Sequence, residues 1–177
     1  FINISSSPFS LGKTNERIKL IKQKVNRFNK PFIYCNMVGG QDELIFDGTS
    51  LAFNQNSELV ANGISFKEDI IFVDFNEEQK ATKFISEFEE EQLFKALCLG
   101  VKDYFNKTGH KEALLGLSGG IDSAIVACIA SEALSASKVH TISLPSKYSS
   151  THSLEDAIEL SKNLNVNHRV IKINDLV

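Results

Sequence analysis

The sequence feature that most constrains the fold is a glycine-bearing loop, LLGLSGGIDS at residues 114–123, which runs directly into the apolar segment AIVACIASEAL. The strand-like run ALLGL leads into the loop, so the local pattern is strand, loop and helix. In open parallel sheets a ligand binds beyond the carboxyl ends of the strands, and a helix that begins there favours a phosphate. The loop therefore indicates an α/β fold and is its first candidate binding site.

The segments after this loop alternate between helix and strand. The pattern predicts a helix near residues 123–136, the strand VHTISL, a second helix and the strand HRVIKI. Ser153, with Asp156 three residues later, predicts a capping box at the start of the second helix. Two successive β–α–β units imply a doubly wound, Rossmann-like parallel sheet. An amphipathic helix that begins at Glu91 and ends at Gly109 precedes them, and its predicted apolar stripe comprises Leu93, Phe94, Leu97, Val101, Tyr104 and Phe105.

Residues 1–75 predict a region of mixed helix and strand. FINI and PFIYCN are predicted strands, and a helix with Thr14 as its N-cap extends between them to Asn29. Its apolar face is predicted to be Ile18, Ile21, Val25 and Phe28. VGGQDELIFDG is predicted to be a polar loop, TSLAFNQ and ELVANG a hairpin, and DIIFVDF a further strand. The acidic residues 76–91 are interpreted as a solvated connector, so the predicted domains are residues 1–75 and 92–177.

The composition excludes several classes of protein. A net charge of −3 argues against a nucleic-acid-binding protein, which needs a basic excess to contact phosphates. No apolar run approaches the roughly 18 residues of a membrane span, so no membrane association is expected. The cysteines Cys35, Cys98 and Cys128 are far apart and predict neither a disulfide framework nor a zinc site, which suits a cytoplasmic protein. Because the chain starts and ends inside strand-like runs, we expect it to be an internal piece of a longer polypeptide.

The chemistry of the loop depends on Asp122. No lysine occurs between Leu114 and Ser137, so the loop is not a Walker A motif. A carboxylate beside a polyphosphate is repulsive unless a divalent cation lies between them, and Mg²⁺ is the cation that carboxylates and phosphates commonly hold together. Asp122 is therefore a candidate metal ligand. The alternative, which the residues favour equally, is that Asp122 only stabilises the amino end of its helix by about 0.3–1 kcal/mol.

A second hypothesis makes Ser118 a nucleophile. Residues 116–120, GLSGG, fit the G-x-S-x-G pattern of serine hydrolases in the appropriate strand–turn–helix context. The rest of a triad is missing, because His140 and His168 begin later strands and neither has an acid partner in the expected order. The hydrolase stays an alternative with little support.

The motifs resemble a known family. Residues 118–123, SGGIDS, resemble the S-G-G-x-D-S signature of the PP-loop ATP pyrophosphatases. Together with LPSKYSSTHSLEDAIELSKNL, and above all its residues 145–157, they are similar to the synthetase domain of NAD⁺ synthetases. In the first half, NISSSPFSLGK and VGGQDELIFDGTS resemble the later part of the nitrilase-like glutaminase domain, an α/β/β/α sandwich, that precedes the synthetase in glutamine-dependent members.

The resemblance implies an enzyme in which glutamine hydrolysis supplies ammonia, Mg-ATP adenylates deamido-NAD⁺, and ammonia displaces AMP. It implies glutamine contacts at Ser7 and Lys13 and Mg²⁺ at Asp122. The implied ATP-binding residues are Gly116, Leu117, Ser118, Gly119, Gly120, Ile121, Asp122 and Ser123.

The resemblance also implies what the chain lacks. The glutaminase Glu, Lys and Cys would lie upstream of Phe1, and later synthetase elements after Val177, so we expect the 177-residue piece to be inactive alone. Cys35 is interpreted as a small strand residue near a pocket, and Cys98 and Cys128 as core residues. We expect the whole protein to be a cytoplasmic homo-oligomer. The rival classes are another PP-loop amidotransferase, a serine hydrolase, and a nucleotide-binding module without catalysis.

Overall fold

The computed structural model describes residues 1–78, 80–85, 87–146 and 150–173. Its contacts form two compact units, Phe1–Gly100 and Val101–Val177, which are described separately. The division of the whole protein into domains at residues 1–75 and 92–177 stays a prediction. Residues 147–149, part of the second family motif, lie outside the described residues, as do Gln79 and Ser86 of the acidic segment.

The first unit is a sheet covered by one helix, with a separate strand pair. Its elements are β1 Ile2–Ser5, α1 Lys13–Phe28, β2 Phe32–Asn36, β3 Val38–Gln41, β4 Leu44–Asp47, β5 Leu51–Phe53 and β6 Leu59–Asn62. The main sheet has the order β1-β2-β5-β6, in which β1 and β2 are parallel and the later neighbours are antiparallel. The predicted strands at both ends of α1 and the predicted hairpin are therefore confirmed.

The core of the first unit lies between α1 and this sheet. Ile21 and Val25 of α1 are buried, and Ile18 packs against the same cluster, as the helical spacing predicts. Their partners on the sheet are Phe32, Tyr34, Leu51, Phe53 and Leu59. Phe28 was predicted on this face but is 49% exposed, and its ring lies against that of Phe1 at a centroid distance of 5.2 Å.

Three further predictions for the first unit are wrong. Helix α1 begins at Lys13, and its N-cap is Gly12 without a side-chain cap, so Thr14 lies in the first turn. VGGQDELIFDG is not a loop but the antiparallel pair β3–β4, which reverses at Asp42 with a positive φ of 51°. DIIFVDF forms no strand among the described residues, and the carboxylate of Asp69 instead accepts hydrogen bonds from nearby backbone N–H groups.

The second unit is a parallel sheet with helices. Helix α2, Glu89–Thr108, crosses the division between the units. The following elements are β7 Ala113–Gly116, α3 Ile121–Leu134, a 3₁₀ turn Ala136–Lys138, β8 Val139–Ser143, α4 Thr151–Asn163 and β9 Asn167–Val170. The strands have the order β7-β8-β9 and are all parallel, which confirms the two predicted β–α–β units. No helix among the described residues is long and apolar enough to span a membrane.

Small side chains allow α3 and α4 to pack closely in the second unit. Ala127 of α3 and Ala157 of α4 are buried in one cluster with Leu117, and Leu115 of β7 joins it from the sheet. Both helices therefore cover the same face of the described strands. The doubly wound arrangement, which needs helices on both faces, stays a prediction for the whole protein.

Two helix starts differ from the predictions. Helix α3 begins at Ile121 rather than 123, so Asp122 and Ser123 lie in its first turn. Helix α4 is capped by Ser150 rather than Ser153, because the Ser150 Oγ accepts a hydrogen bond of 3.1 Å from the Ser153 N–H. Ser153 has the capping-box spacing in the sequence, but the chain uses the earlier serine as the cap.

Helix α2 differs from its prediction in its start and in the burial of its stripe. It begins two residues earlier than predicted, at Glu89. In the predicted stripe, only Val101 and Phe105 pack against a core cluster among the described residues; the remaining four, Leu93, Phe94, Leu97 and Tyr104, are exposed. The predicted end of the helix is confirmed, since Gly109 follows Thr108 with a φ of +78°.

His168 on β9 makes the stability of the second unit depend on pH. Its Nδ1 lies 2.8 Å from the Thr141 Oγ1, and its buried Nε2 has no hydrogen-bond partner among the described residues. Burial lowers the pKa of His168 from its ordinary value of 6.5. The unfolded chain therefore binds a proton here more readily than the folded one. The contribution of the neutral His168 to stability is therefore fully present above about pH 6.5 and is lost as the pH falls from there towards the lower folded pKa.

We expect the unfolding temperature of the full-length protein to fall more between about pH 8 and about pH 5.5 than that of His168→Asn. Asparagine keeps a hydrogen-bonding group near Thr141 but does not titrate. Thermal unfolding of both proteins across this range measures the difference. Identical pH dependence in the two proteins would contradict it.

Candidate functional site

The glycine loop lies where the parallel sheet should bind a ligand. Strand β7 ends at Gly116 and α3 begins at Ile121, so the loop occupies the carboxyl end of β7 beside that of β8. A cavity of about 300 Å³ opens there, which is the lower end of the size of small-molecule sites. Its walls include Gly116, Leu117 and Ser118 from the loop, Ile142 and Ser143 at the end of β8, Leu144 and Pro145 after it, and Ser153 and Leu154 from α4.

Two serines tie the loop to itself. The Ser123 Oγ accepts a hydrogen bond of 3.2 Å from the Ser118 N–H and donates one of 2.9 Å to the Gly120 carbonyl. The Ser118 Oγ accepts from the Gly120 N–H at 3.2 Å and lies 3.1 Å from the Ser123 Oγ. These bonds fix the loop before any ligand arrives. They also leave the hydroxyl hydrogen of Ser118 able to turn outward to an acceptor.

Gly119 is the position where the loop has no room for a side chain. Its φ is +84°, and a Cβ built on it would lie 2.1 Å from the backbone carbonyl oxygen of Ser153. The sequence predicted a close approach of this backbone to an anion. The close approach that the structure contains is to the first turn of α4, and the approach to an anion stays a prediction.

Asp122 is exposed in the first turn of α3, where a carboxylate interacts favourably with the helix dipole. Among the described residues, no group of three His, Cys, Asp or Glu side chains could hold a metal ion. Asp122 itself offers one carboxylate. This donor set fits Mg²⁺ shared with a polyphosphate, because that ion is usually held by one or two carboxylates, phosphates and water.

The serine-hydrolase hypothesis finds no support in these contacts. No described histidine contacts the Ser118 hydroxyl, whose partners are Ser123 and Gly120. The Nε2 of His140 lies 3.4 Å from the Glu112 carboxylate without hydrogen-bond geometry, and His168 is engaged by Thr141. Ser118 therefore has no general base among the described residues.

Ser7 and Lys13, the predicted glutamine contacts, belong to the first unit. Ser7 lies in the loop between β1 and α1, and Lys13 is the first residue of α1. The Ser7 N–H donates to the Asn36 Oδ1 at 2.9 Å, and its hydroxyl accepts from the Arg17 Nη2 at 3.2 Å. Both side chains are half-buried.

A buried ion pair beside Ser7 was not predicted. Arg17 and Asp47 are 6% and 2% exposed, and the Arg17 Nη1 lies 2.7 Å from the Asp47 Oδ2. The sequence did contain a signal, since Arg17 stands four residues before Ile21 and eight before Val25, on the buried stripe of α1. A charged side chain at a position of the helix that faces the core is buried, and a buried charge needs a partner of opposite charge or hydrogen bonds. Asp47 was predicted only as part of the polar loop VGGQDELIFDG.

The cysteines are all free thiols. Cys35 is an exposed residue of β2, as predicted for a strand residue, and it borders a cavity of about 490 Å³. Cys98 and Cys128 were predicted to be core residues but are only half-buried.

Residues 93–177, which contain this strand, loop and helix, match the NAD synthase family. Over nearly its whole length the chain is 45% identical to the glutamine-dependent NAD(+) synthetase of Synechocystis sp., covering 99% of this chain and 32% of that protein. It is 35% identical to the glutamine-dependent NAD(+) synthetase of Acinetobacter baylyi, and this match covers 98% of this chain and 33% of that protein.

Solved structures agree with these relatives. The glutamine-dependent NAD⁺ synthetase from Acinetobacter baumannii, in complex with ADP, matches 99% of this chain and 34% of its own with a TM-score of 0.89 at 34% identity. The glutamine-dependent NAD(+) synthetase from Cytophaga hutchinsonii shares the fold, with a TM-score of 0.86 at 20% identity. This match covers 99% of this chain and 36% of that one. Over nearly its whole length the chain is therefore similar to glutamine-dependent NAD(+) synthetases, and it spans about a third of the length of the curated relatives that it matches.

Proposed function

We propose that this chain is part of an enzyme that converts deamido-NAD⁺ to NAD⁺ with glutamine as the nitrogen donor and ATP as the activating substrate. The observation that carries the proposal is the continuous similarity of both units to glutamine-dependent NAD(+) synthetases. The first unit would be the later part of a nitrilase-like glutaminase domain. The second would be the first strands and helices of a Rossmann-like PP-loop domain, in a protein that is cytoplasmic and oligomeric.

The reaction needs two displacements at different atoms. An oxygen of the nicotinate carboxylate attacks the α-phosphorus of ATP, the new O–P bond forms, and the bond to the β-phosphate breaks to release pyrophosphate. Ammonia from glutamine then attacks the activated carbonyl carbon, loses a proton, and expels AMP to leave the amide. Both steps develop charge on phosphate oxygens, so donors held in place beforehand lower their barriers.

The loop at residues 116–123 supplies such donors for the β,γ end of ATP. The first N–H groups of α3 have no partner within the helix and favour an anion, and the Ser118 hydroxyl hydrogen is available to a phosphate oxygen. Asp122 would hold Mg²⁺, which when bound neutralises charge on the polyphosphate. The ADP in the Acinetobacter baumannii relative supports a nucleotide site in this family.

The rival classes differ in what they require of the same loop. Another PP-loop amidotransferase would use the loop in the same way with a different carboxylate substrate, and the similarity over 99% of the chain favours NAD⁺ synthesis. A serine hydrolase requires a base beside Ser118, and the described residues provide none. A nucleotide-binding module without catalysis would not need the similarity of the first unit to a glutamine-dependent enzyme.

The full-length protein tests the proposal directly. Incubation with ATP, Mg²⁺ and deamido-NAD⁺ is expected to yield NAD⁺ and AMP with either glutamine or ammonium as the nitrogen source. Hydrolysis of a simple ester that is lost in Ser118→Ala would instead support the hydrolase. Formation of neither NAD⁺ nor AMP with both nitrogen sources would overturn the proposal.

Ser7→Ala is expected to weaken glutamine use without affecting ammonium use. Loss of one hydrogen bond to the substrate raises the KM for glutamine about tenfold, whereas ammonium-dependent synthesis does not involve this unit. Steady-state kinetics with each nitrogen source measure the two effects. Ser10→Ala, an exposed position in the same loop, is the matched control and should leave both unchanged. An equal loss with glutamine and ammonium would contradict a glutamine contact at Ser7.

A further inference from the structure

The buried ion pair of Arg17 and Asp47 holds Ser7, and we infer that Arg17 is a positioning residue for glutamine binding. This inference rests on the proposed function, in which Ser7 contacts glutamine. Arg17 does not itself need to touch the substrate. It would set the place and the direction of the Ser7 hydroxyl.

Each polar group of Ser7 is held by a buried side chain. Its N–H donates to the Asn36 Oδ1 at 2.9 Å, and its carbonyl accepts from the Arg17 Nη2 at 2.9 Å and the Asn36 Nδ2 at 3.3 Å. The same Nη2 donates to the Ser7 hydroxyl and to the Pro8 carbonyl, both at 3.2 Å. Ser7 lies in a loop without regular hydrogen bonding, yet four of these bonds fix its backbone and side chain.

Arg17 is itself fixed in one orientation. Its Nη1 donates to the Asp47 Oδ1 at 2.9 Å and Oδ2 at 2.7 Å, and its guanidinium carbon lies 5.8 Å from the centre of the Tyr34 ring. Asp47 also accepts from the Asn36 Nδ2 at 3.4 Å and the Thr14 Oγ1 at 3.5 Å. The planar guanidinium can serve two partners at once, with the Nη1 on Asp47 and the Nη2 on Ser7.

Stability alone gives little reason to keep such a pair. The cost of removing two charges from water largely cancels their attraction, so well-packed apolar residues would hold α1 on the sheet as well. The Arg17 Nε is also buried without a hydrogen-bond partner among the described residues. A group retained at that cost and aimed at a loop serine is better explained by what it does to the serine.

The contact with Arg17 decides what Ser7 can recognise. Because the Nη2 donates to the Ser7 Oγ, one lone pair of the hydroxyl is occupied, and its hydrogen is directed away from the guanidinium. Ser7 is thereby presented as a hydrogen-bond donor. Glutamine offers acceptor oxygens in its carboxylate and its side-chain amide, so a donor at Ser7 suits either of them.

Arg17→Lys in the full-length enzyme tests the inference. Lysine keeps the charge beside Asp47 but lacks the fork that reaches both Asp47 and Ser7. We expect the KM for glutamine to rise about tenfold, as for Ser7→Ala, with the kcat of ammonium-dependent synthesis unchanged. Arg27→Lys, an exposed position near the end of the same helix, is the matched control and should change neither value. An unchanged KM for glutamine in Arg17→Lys would overturn the inference.

A double-mutant cycle separates positioning from a general loss of structure. If Arg17 acts through Ser7, Arg17→Lys should have almost no further effect on kcat/KM for glutamine in a Ser7→Ala background. If the losses in kcat/KM of the two single variants instead multiply in the double variant, Arg17 acts independently of Ser7, and the inference is overturned. If Arg17→Lys does not fold, Asp47→Asn gives the cycle instead, because it weakens the hold on the Arg17 guanidinium and removes no group that contacts Ser7.

The proposed function and this inference fail differently. A Ser7→Ala enzyme with an unchanged KM for glutamine would contradict the glutamine contact itself. A raised KM in Ser7→Ala with no change in Arg17→Lys would leave that contact standing and contradict only the role of Arg17.

Discussion

Asp122→Ala in the full-length enzyme is expected to abolish NAD⁺ synthesis with both glutamine and ammonium while glutamine hydrolysis continues. Asp122 is exposed beside the loop, where it would hold the cation that neutralises ATP. Stabilisation of developing charge by a metal ion is worth several kcal/mol, so synthesis should fall at least about a hundredfold. Glutamine hydrolysis is expected to persist because its predicted contacts, Ser7 and Lys13, belong to the other unit. Parallel assays of NAD⁺ and glutamate formation measure the two activities.

The control is Glu132→Ala, an exposed carboxylate on the same helix, which should keep both activities. If Asp122 only stabilised the start of α3, the variant would lose about 0.3–1 kcal/mol of stability and retain synthesis. Retained synthesis would therefore contradict a metal ligand at this position. Loss of synthesis and hydrolysis together would contradict separate sites.

Gly119→Ala is expected to cause a comparable loss of synthesis for a steric reason. The new Cβ would lie 2.1 Å from the Ser153 carbonyl oxygen, so the loop and the first turn of α4 must separate by more than an ångström. A misplacement of about 1 Å in a reacting group can cost about a hundredfold in rate. Steady-state kinetics with varied ATP are expected to show this loss, with glutamine hydrolysis retained.

Gly109→Ala isolates the backbone contribution to this effect. Gly109 has a φ of +78°, close to the +84° of Gly119, but a Cβ there would meet nothing within 4 Å. Alanine in this conformation costs roughly 1–2 kcal/mol of stability and should leave synthesis intact. Similar activity in the two variants would show that the contact between Gly119 and Ser153 does not hold the loop in its working position.

The helices and strands that could be predicted are those whose apolar residues repeat at a regular spacing along the sequence. The period of α1 and the alternation of strands and helices after residue 112 follow from apolar spacing, and the structure confirms both. Helix caps were harder to predict, because Ser153 has the stronger sequence signal, with Asp156 three residues later, and yet Ser150 accepts the N–H in the folded chain. DIIFVDF has the composition of a strand, but Ile70 and Phe72 are 80% and 92% exposed and pair with no described strand.

The two candidate sites also differ in how far the sequence could predict them. The loop at residues 116–123 could be predicted because its glycines, serines and aspartate are contiguous in sequence. The group around Ser7 could not, because Arg17, Asn36 and Asp47 come from three different elements and meet only when α1 packs on the sheet. The one local signal was the charge of Arg17 within an apolar stripe.

The most direct test follows the amide nitrogen of glutamine through the full-length enzyme. With isotopically labelled glutamine amide, ATP, Mg²⁺ and deamido-NAD⁺, the account predicts that the label appears in the carboxamide of NAD⁺, with AMP and pyrophosphate formed in equal amounts. Absence of NAD⁺ and AMP with labelled glutamine, and again with ammonium, would contradict it.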